Sequence, residues 1–299
     1  MIEAVDNRNP GDFVHPTAAP ALRPQAAVPT PEEAAAVEDA IRRAAAEEIL
    51  PRFRQLADED VVEKNGPHDL VTTADRRAEE QLTTALAALL PGSVVVGEEA
   101  VHADPSVLDA LSGDAPVWIV DPVDGTRQFV HGDPGFATLV ALAHHGEVLA
   151  SWTYAPALGL MAVARRGHGA TLNGALLVPH PAVPGAALEV AISHYDFTTD
   201  DQKRVLGALD TEGVAPRPCG SAGLEYLRIA RGEIAATAFS WENAWDHAAG
   251  LLLVQETGGT DATVAGVPFA LAGGNALPFT AARDAEVARR ILGLLAAAN

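Results

Sequence analysis

Residues 118–129 read Trp-Ile-Val-Asp-Pro-Val-Asp-Gly-Thr-Arg-Gln-Phe, which sets two carboxylates, Asp121 and Asp124, where an apolar run ends. Val117, Trp118, Ile119 and Val120 are apolar enough to form a strand inside a sheet. Asp121 is then expected at its carboxyl edge, where open α/β sheets place their ligands. Pro122 is expected to stop the strand, Gly125 to let a backbone approach a ligand, and Thr126 to open a helix whose free N–H groups favour a phosphate. Two carboxylates facing an anion need cations between them, and hard oxygen ligands point to magnesium. The same DPxDG residues also suit a type I turn, in which Asp121 and Asp124 would be caps and nothing more.

Further acidic clusters weigh against the turn alone. Lys64, Asp69 and Asp75 lie in KNGPHDLVTTAD, a turn-rich entry followed by a short strand at Leu70-Val71-Thr72 and an Asp able to cap the next helix. Glu98 and Glu99 follow Ser93 to Val96, a second β-branched strand, in the word VVVGEE. Far downstream, Asp246 in WENAWDHAAG opens an apolar helix through Leu251, Leu252, Leu253 and Val254 that is expected to end at Gly258-Gly259. Alone, Asp246 reads as an N-cap.

Taken in order and spacing, LVTTAD, VGEE, WIVDPVDGT and AWDHAAG resemble the inositol monophosphatase family, magnesium-dependent phosphatases related to fructose-1,6-bisphosphatase, over roughly residues 33–297. The resemblance implies a layered αβαβα sandwich with the active site between two halves. It implies a first metal site of Glu98, Asp121 and the Val123 carbonyl, and a second of Asp121, Asp124 and Asp246, with Asp121 bridging. A third, weaker magnesium would lean on Glu98 and solvent. Asp75 and Thr126 match the pair that orients and deprotonates the attacking water, Gly125 and Thr126 supply N–H groups to the phosphate, and Lys64 matches a lysine near it. Glu99 reads as a solvated neighbour of Glu98. The family commonly forms dimers, so a homodimer is the expected assembly.

Such a metal cluster suits a phosphate monoester, because it offsets the dianion's charge and lowers the pKa of water. Direct attack by water needs no Ser or Cys nucleophile, so Cys219 reads as buried or incidental. The ten histidines show no paired ligand spacing, and His144-His145 reads as a hairpin end before Gly146.

The substrate is less determined. The inositol phosphatases carry a glutamate seven residues before the last metal aspartate; that position here is Phe239, and Glu242 lies three residues off. Gly220-Ser221-Ala222 matches a substrate-contacting stretch, with Ser for Thr, so Ser221 and Ala222 are candidate contacts. Arg127 stands where a threonine often follows DGT, and a basic residue there accompanies histidinol phosphate or nucleotide substrates; it reads equally as a solvated arginine on a first helical turn. The leading expectation is hydrolysis of a small phosphorylated polyol such as inositol monophosphate. Histidinol phosphate, a nucleotide or sugar bisphosphate, and an inactive regulatory relative are the alternatives. The intact set Asp75, Glu98, Asp121, Asp124, Thr126 and Asp246 weighs against the last.

The chain has 299 residues, 48% hydrophobic, enough for one large core or two fused halves. The net charge of −20, with only two lysines, disfavours nucleic-acid partners. No apolar run approaches the roughly 18 residues of a membrane span. Residues 1–30 hold five prolines and no hydrophobic stretch, which reads as a flexible extension, and with one cysteine the expected location is cytoplasmic.

The site residues need positioning elements. Thr30 to Glu33 form a capping box, and Val37, Ile41, Ala45, Ile49 and Phe53 recur at fourfold spacing in a helix that Pro51 should kink. A second helix is expected at 76–90, then strands at 93–97, 117–121, 136–143, 147–154 and 160–165, ending a first half of residues 31–180. The second half, 181–299, alternates: strand 188–193, helices 200–208 and 223–231, strand 235–240, the Asp246 helix and a terminal helix at 282–297.

Overall fold

The computed structural model describes residues 27–66 and 69–298, so most of the expected N-terminal extension lies outside the described residues. Helix α1 (Pro31–Ala44) starts at the predicted capping box, with Thr30 and Glu33 exchanging hydrogen bonds. The fourfold apolar spacing outruns the 3.6 residues of an α-turn, and the chain absorbs the excess in a π-turn over Ala45–Ile49, closed by the Leu50 N–H on the Ala45 carbonyl (2.8 Å). Ile41, Ala45 and Ile49 are all buried as a result. The helix stops before Pro51 instead of kinking there, since proline has no N–H to extend the ladder.

Strands β1 (Val61–Gly66) and β2 (Asp69–Thr72) form a hairpin ahead of α2 (Thr73–Leu89). That helix begins earlier than the expected residue 76, because Thr72 is its N-cap and Asp75 sits at its third position. There follow β3 (Val94–Gly97), α3 (Glu98–Ala103), β4 (Val117–Asp124), α4 (Thr126–Val130), β5 (Ala137–His144), β6 (Glu147–Ala155), β7 (Leu160–Arg165), β8 (Ala170–Leu172) and β9 (Ala175–Leu176). In the described residues β3 to β9 make one seven-stranded sheet in sequence order, with β3 and β4 parallel and the later pairs antiparallel.

Pro122 does not end β4. Asp121 pairs with Leu139 and Asp124 with Ala137, so two residues on β4 oppose one on β5, and the proline sits in that bulge, where no ladder N–H is required. The Pro122 carbonyl still accepts the Thr138 hydroxyl (2.8 Å). By setting both aspartates at one strand end, the bulge builds the site.

The second half contributes β10 (Leu188–Ile192), α5 (Asp200–Leu206), β11 (Val214–Pro218), α6 (Ala222–Ala230), β12 (Ala236–Ala238), α7 (Ala244–Glu256), β13 (Thr260–Thr263), β14 (Phe279–Ala282) and α8 (Ala285–Ala298). Its sheet runs β11-β10-β12-β14-β13, parallel on one side and antiparallel on the other. The strands β11, β13 and β14 are additions to the sequence reading.

Alternation along the strands sorts side chains into layers. Trp118 and Val120 face α1 and α2, while Val117 and Ile119 face α6 and α7. Helix α7 is apolar on all sides because it is covered on both: Leu252 and Leu253 meet the first sheet, Leu251 and Val254 the second. Helices α5 and α8 close the far face. The order of layers is therefore αβαβα, as the resemblance implies. No helix among the described residues is long and apolar enough to cross a membrane.

Candidate active site

A cavity of about 560 Å³ opens where the end of β4 meets the starts of α4, α6 and α7. Asp121, Asp124 and Asp246 line it, and each offers an oxygen within 4.8 Å of the others. Asp121 and Asp124 are only 2% and 6% exposed, so three like charges share a site with little water to screen them. Burial and then the Glu98 charge raise Asp121 well above the ordinary carboxylate range; burial and the Asp124 charge do the same for Asp246. Asp124 rises only to about 6, because hydrogen bonds from Ser221, Gly223 and Ala222 offset part of the burial cost. Mutually repelling carboxylates with hard oxygen donors are a fit for a divalent cation.

Each carboxylate is aimed by the chain. The Asp121 Oδ1 accepts the Val123 N–H (3.0 Å). Asp124 receives the Ser221 hydroxyl (2.5 Å) and the N–H groups of Ala222 (3.1 Å) and Gly223 (2.7 Å), the opening turn of α6. These bonds spend the Ser221 hydroxyl and Ala222 N–H on Asp124; Ala222 also lines the cavity, as does Gly220. Asp246 is the third residue of α7, not its N-cap, which is Asn243; the Asn243 amide (3.1 Å) and the Trp241 indole (2.8 Å) both donate to its Oδ2.

Glu98 lines the same cavity from the start of α3. Lys64 reaches it at 2.8 Å and Glu99 at 2.5 Å, with the lysine side chain 4% exposed. Burial alone would lower the Lys64 ammonium; the two glutamates overcome that and hold it above the ordinary lysine value. Lys64 thus binds the glutamate pair and does not line the cavity, and Glu99 is an ion-pair partner, not a solvated neighbour. Glu79 on α2 accepts the N–H groups of Glu99 (2.9 Å) and Ala100 (2.8 Å) and so caps the helix that carries Glu98. Gly97 makes room for it: a Cβ there would lie 2.3 Å from the Glu79 carboxyl carbon.

The Asp75 carboxylate is buried beneath Thr126, whose hydroxyl donates to the Val123 carbonyl (3.0 Å) and approaches the Asp75 Oδ1 at 3.3 Å. Thr72 donates its N–H (2.9 Å) and hydroxyl (2.5 Å) to Asp75 Oδ2. Burial pushes Asp75 up to about 7, the Thr72 bonds opposing it. Gly125 begins α4 at φ +87°, a left-handed conformation open to glycine at little cost.

Beside Thr126, Arg127 donates to Asp196 (2.6 Å). Phe239 is fully buried against Trp241, with ring centroids 4.3 Å apart, and Glu242 is engaged by Asn275 (2.8 and 3.0 Å); neither lines the cavity. Cys219 is buried, on the cavity wall. His247 is a core histidine held between the Tyr226 hydroxyl and the Trp241 carbonyl, and burial lowers it to about 3.

Sequence reading missed Glu79, Asp196 and the donors on Asp246. Glu79 stands four residues after Asp75 on one helix, a spacing that signals a shared face. Nothing in the sequence signals Asp196, since its role depends on packing between the halves.

Comparison with known proteins identifies the family and the fold. Residues 30–293 match the model of the inositol monophosphatase family. The inositol-1-monophosphatase of Rhizobium meliloti is 36% identical over 220 residues, 70% of this chain and 78% of its own. The fructose-1,6-bisphosphatase/inositol-1-monophosphatase of Thermotoga maritima is 31% identical over 201 residues, covering 67% and 74%. The structure of the Thermotoga maritima IMPase superposes with a TM-score of 0.69 at 27% identity over 86% of this chain and 94% of that one.

Proposed function

This chain belongs to the inositol monophosphatase family and is a phosphatase of that type, and on that premise we propose that it hydrolyses a small phosphorylated polyol, inositol monophosphate first, with magnesium as its metal. The observation that carries this reading is the carboxylate trio Asp121, Asp124 and Asp246, the first two buried, beside the Asp75–Thr126 pair. Glu98, Asp121 and the Val123 carbonyl would hold one magnesium, and Asp121, Asp124 and Asp246 a second; a third would lean on Glu98. Magnesium bound there would offset the phosphate charge and lower the pKa of water.

The remaining work falls to the chain. Thr126 would present its hydroxyl oxygen to the attacking water and pass its own proton to Asp75, which burial makes more basic than an ordinary carboxylate. The N–H groups of Gly125 and Thr126 would receive phosphate oxygens. Support for a polyol comes from the mixed polar and aromatic wall of Arg127, Asp196, Asn243 and Trp241. One observation favours histidinol phosphate as a second reading: Asp196 lines the cavity and offers an ammonium the countercharge that Phe239 does not. A homodimer, a cytoplasmic location, and two halves, residues 31–180 and 181–299, sharing the site belong to the same proposal.

The test is phosphate release with magnesium on inositol 1-phosphate, histidinol phosphate, fructose 1,6-bisphosphate and adenosine 3′,5′-bisphosphate, beside an EDTA control. The polyol reading expects inositol 1-phosphate to lead by about a hundredfold in kcat/KM, roughly 2.7 kcal/mol. A comparable lead for another ester would replace it.

A further inference from the structure

We propose that Asp196 is a specificity-determining residue, which accepts hydroxyl or ammonium hydrogens of the leaving group and rejects a substrate carrying a second phosphate. The inference rests on the phosphatase reading of this cavity and says what lies beyond its carboxylate trio.

Among the described residues that line the cavity, Arg127 is the only arginine or lysine. It is where a second anion on the substrate would have to bind, since magnesium held by the carboxylate trio would serve the phosphate being cleaved. Arg127 is already matched: Asp196 holds it at 2.6 Å, one residue on α4 and the other on the turn Tyr195–Phe197 of the second half. The Asp196 N–H donates to Nδ1 of His194 (3.2 Å), which fixes the turn that carries the carboxylate. A second phosphate taking the other guanidinium donors of Arg127 would have to sit beside the Asp196 carboxylate, and like charges at an interface disfavour the wrong partner. A sugar hydroxyl or an ammonium meets the reverse situation, an acceptor held in place by its own counterion.

The experiment compares glucose 1-phosphate with glucose 1,6-bisphosphate, which share a scaffold, in the wild type and in Asp196→Asn. The wild type is expected to favour the monophosphate by about tenfold or more in kcat/KM, and Asp196→Asn to cut that preference by about tenfold, on the order of 1.4 kcal/mol. Inositol 1-phosphate and histidinol phosphate as further arms separate hydroxyl from ammonium recognition, since only the ammonium ester should lose strongly in Asp196→Asn. An unchanged mono-to-bisphosphate ratio overturns the proposal, as does a wild type that prefers the bisphosphate. Should the variant fail to fold, the wild type alone decides: its preference must narrow as salt rises from about 0.05 to about 0.5 M, and a preference indifferent to salt overturns the proposal. If the wild type cleaves no phosphomonoester at all, the phosphatase reading itself has failed.

Discussion

Glu79→Gln separates the positioning of Glu98 from the general stability of the fold. The Glu79 carboxylate is 6% exposed; burial pushes it from 4.5 up to about 7, against the two backbone N–H bonds it accepts, with Glu99 and Glu98 adding repulsion. A carboxylate raised in the folded state contributes fully below about pH 4.5 and loses that contribution as pH rises through about 7. The difference of about 2.5 units at 1.36 kcal/mol each amounts to about 3 kcal/mol by pH 8. Glutamine does not titrate, but its NH₂ group faces two donors, so the grip on the α3 N-terminus falls by about one hydrogen bond even where the wild-type carboxyl is protonated, roughly 1–3 kcal/mol.

The two effects oppose each other, and pH tells them apart. In EDTA, urea denaturation should find the variant less stable than wild type at pH 5 and equal or more stable at pH 8. Magnesium affinity at pH 8 should nevertheless fall by about tenfold, the usual scale when a group behind a metal ligand is lost. Parallel stability curves would refute the account of Glu79 as a titrating carboxylate, and unchanged magnesium affinity would refute its role in aiming Glu98.

Asp121→Asn should reduce magnesium-dependent turnover by about three orders of magnitude, since one carboxylate would serve two metals; near-normal kcat would exclude that bridge. Thr126→Ala should lower kcat by roughly a hundredfold with little change in KM, and Thr126→Ser should restore most of it, because the hydroxyl and not the methyl group does the work. Adding magnesium to EDTA-treated protein should raise Tm measurably, because bound cations relieve the repulsion among Asp121, Asp124 and Asp246; an unchanged Tm would mean that the trio holds no metal.

The layers and the carboxylate trio were legible because each depends on local signals. The β4 run is apolar for four residues and ends in acid, and α7 is apolar throughout, which fits a helix covered on both sides. What escaped was set by partners distant in sequence. Pro122 reads as a strand end unless the bulge opposite Thr138 is known. Ser221 reads as a substrate contact until α6 turns its first N–H groups onto Asp124, 97 positions away. Lys64 reads as a phosphate ligand until β1 brings it between Glu98 and Glu99. Short strands such as β11 and β14 carry too few residues for a period to show.

The central claim is that the carboxylate cluster performs metal-dependent phosphate ester hydrolysis. Phosphate release from inositol 1-phosphate, measured with magnesium, with EDTA, and with magnesium restored in excess, tests it most directly. The account predicts turnover that disappears with EDTA and returns with magnesium. Turnover that persists undiminished in EDTA, or no turnover on this or any other phosphomonoester with magnesium present, would contradict it.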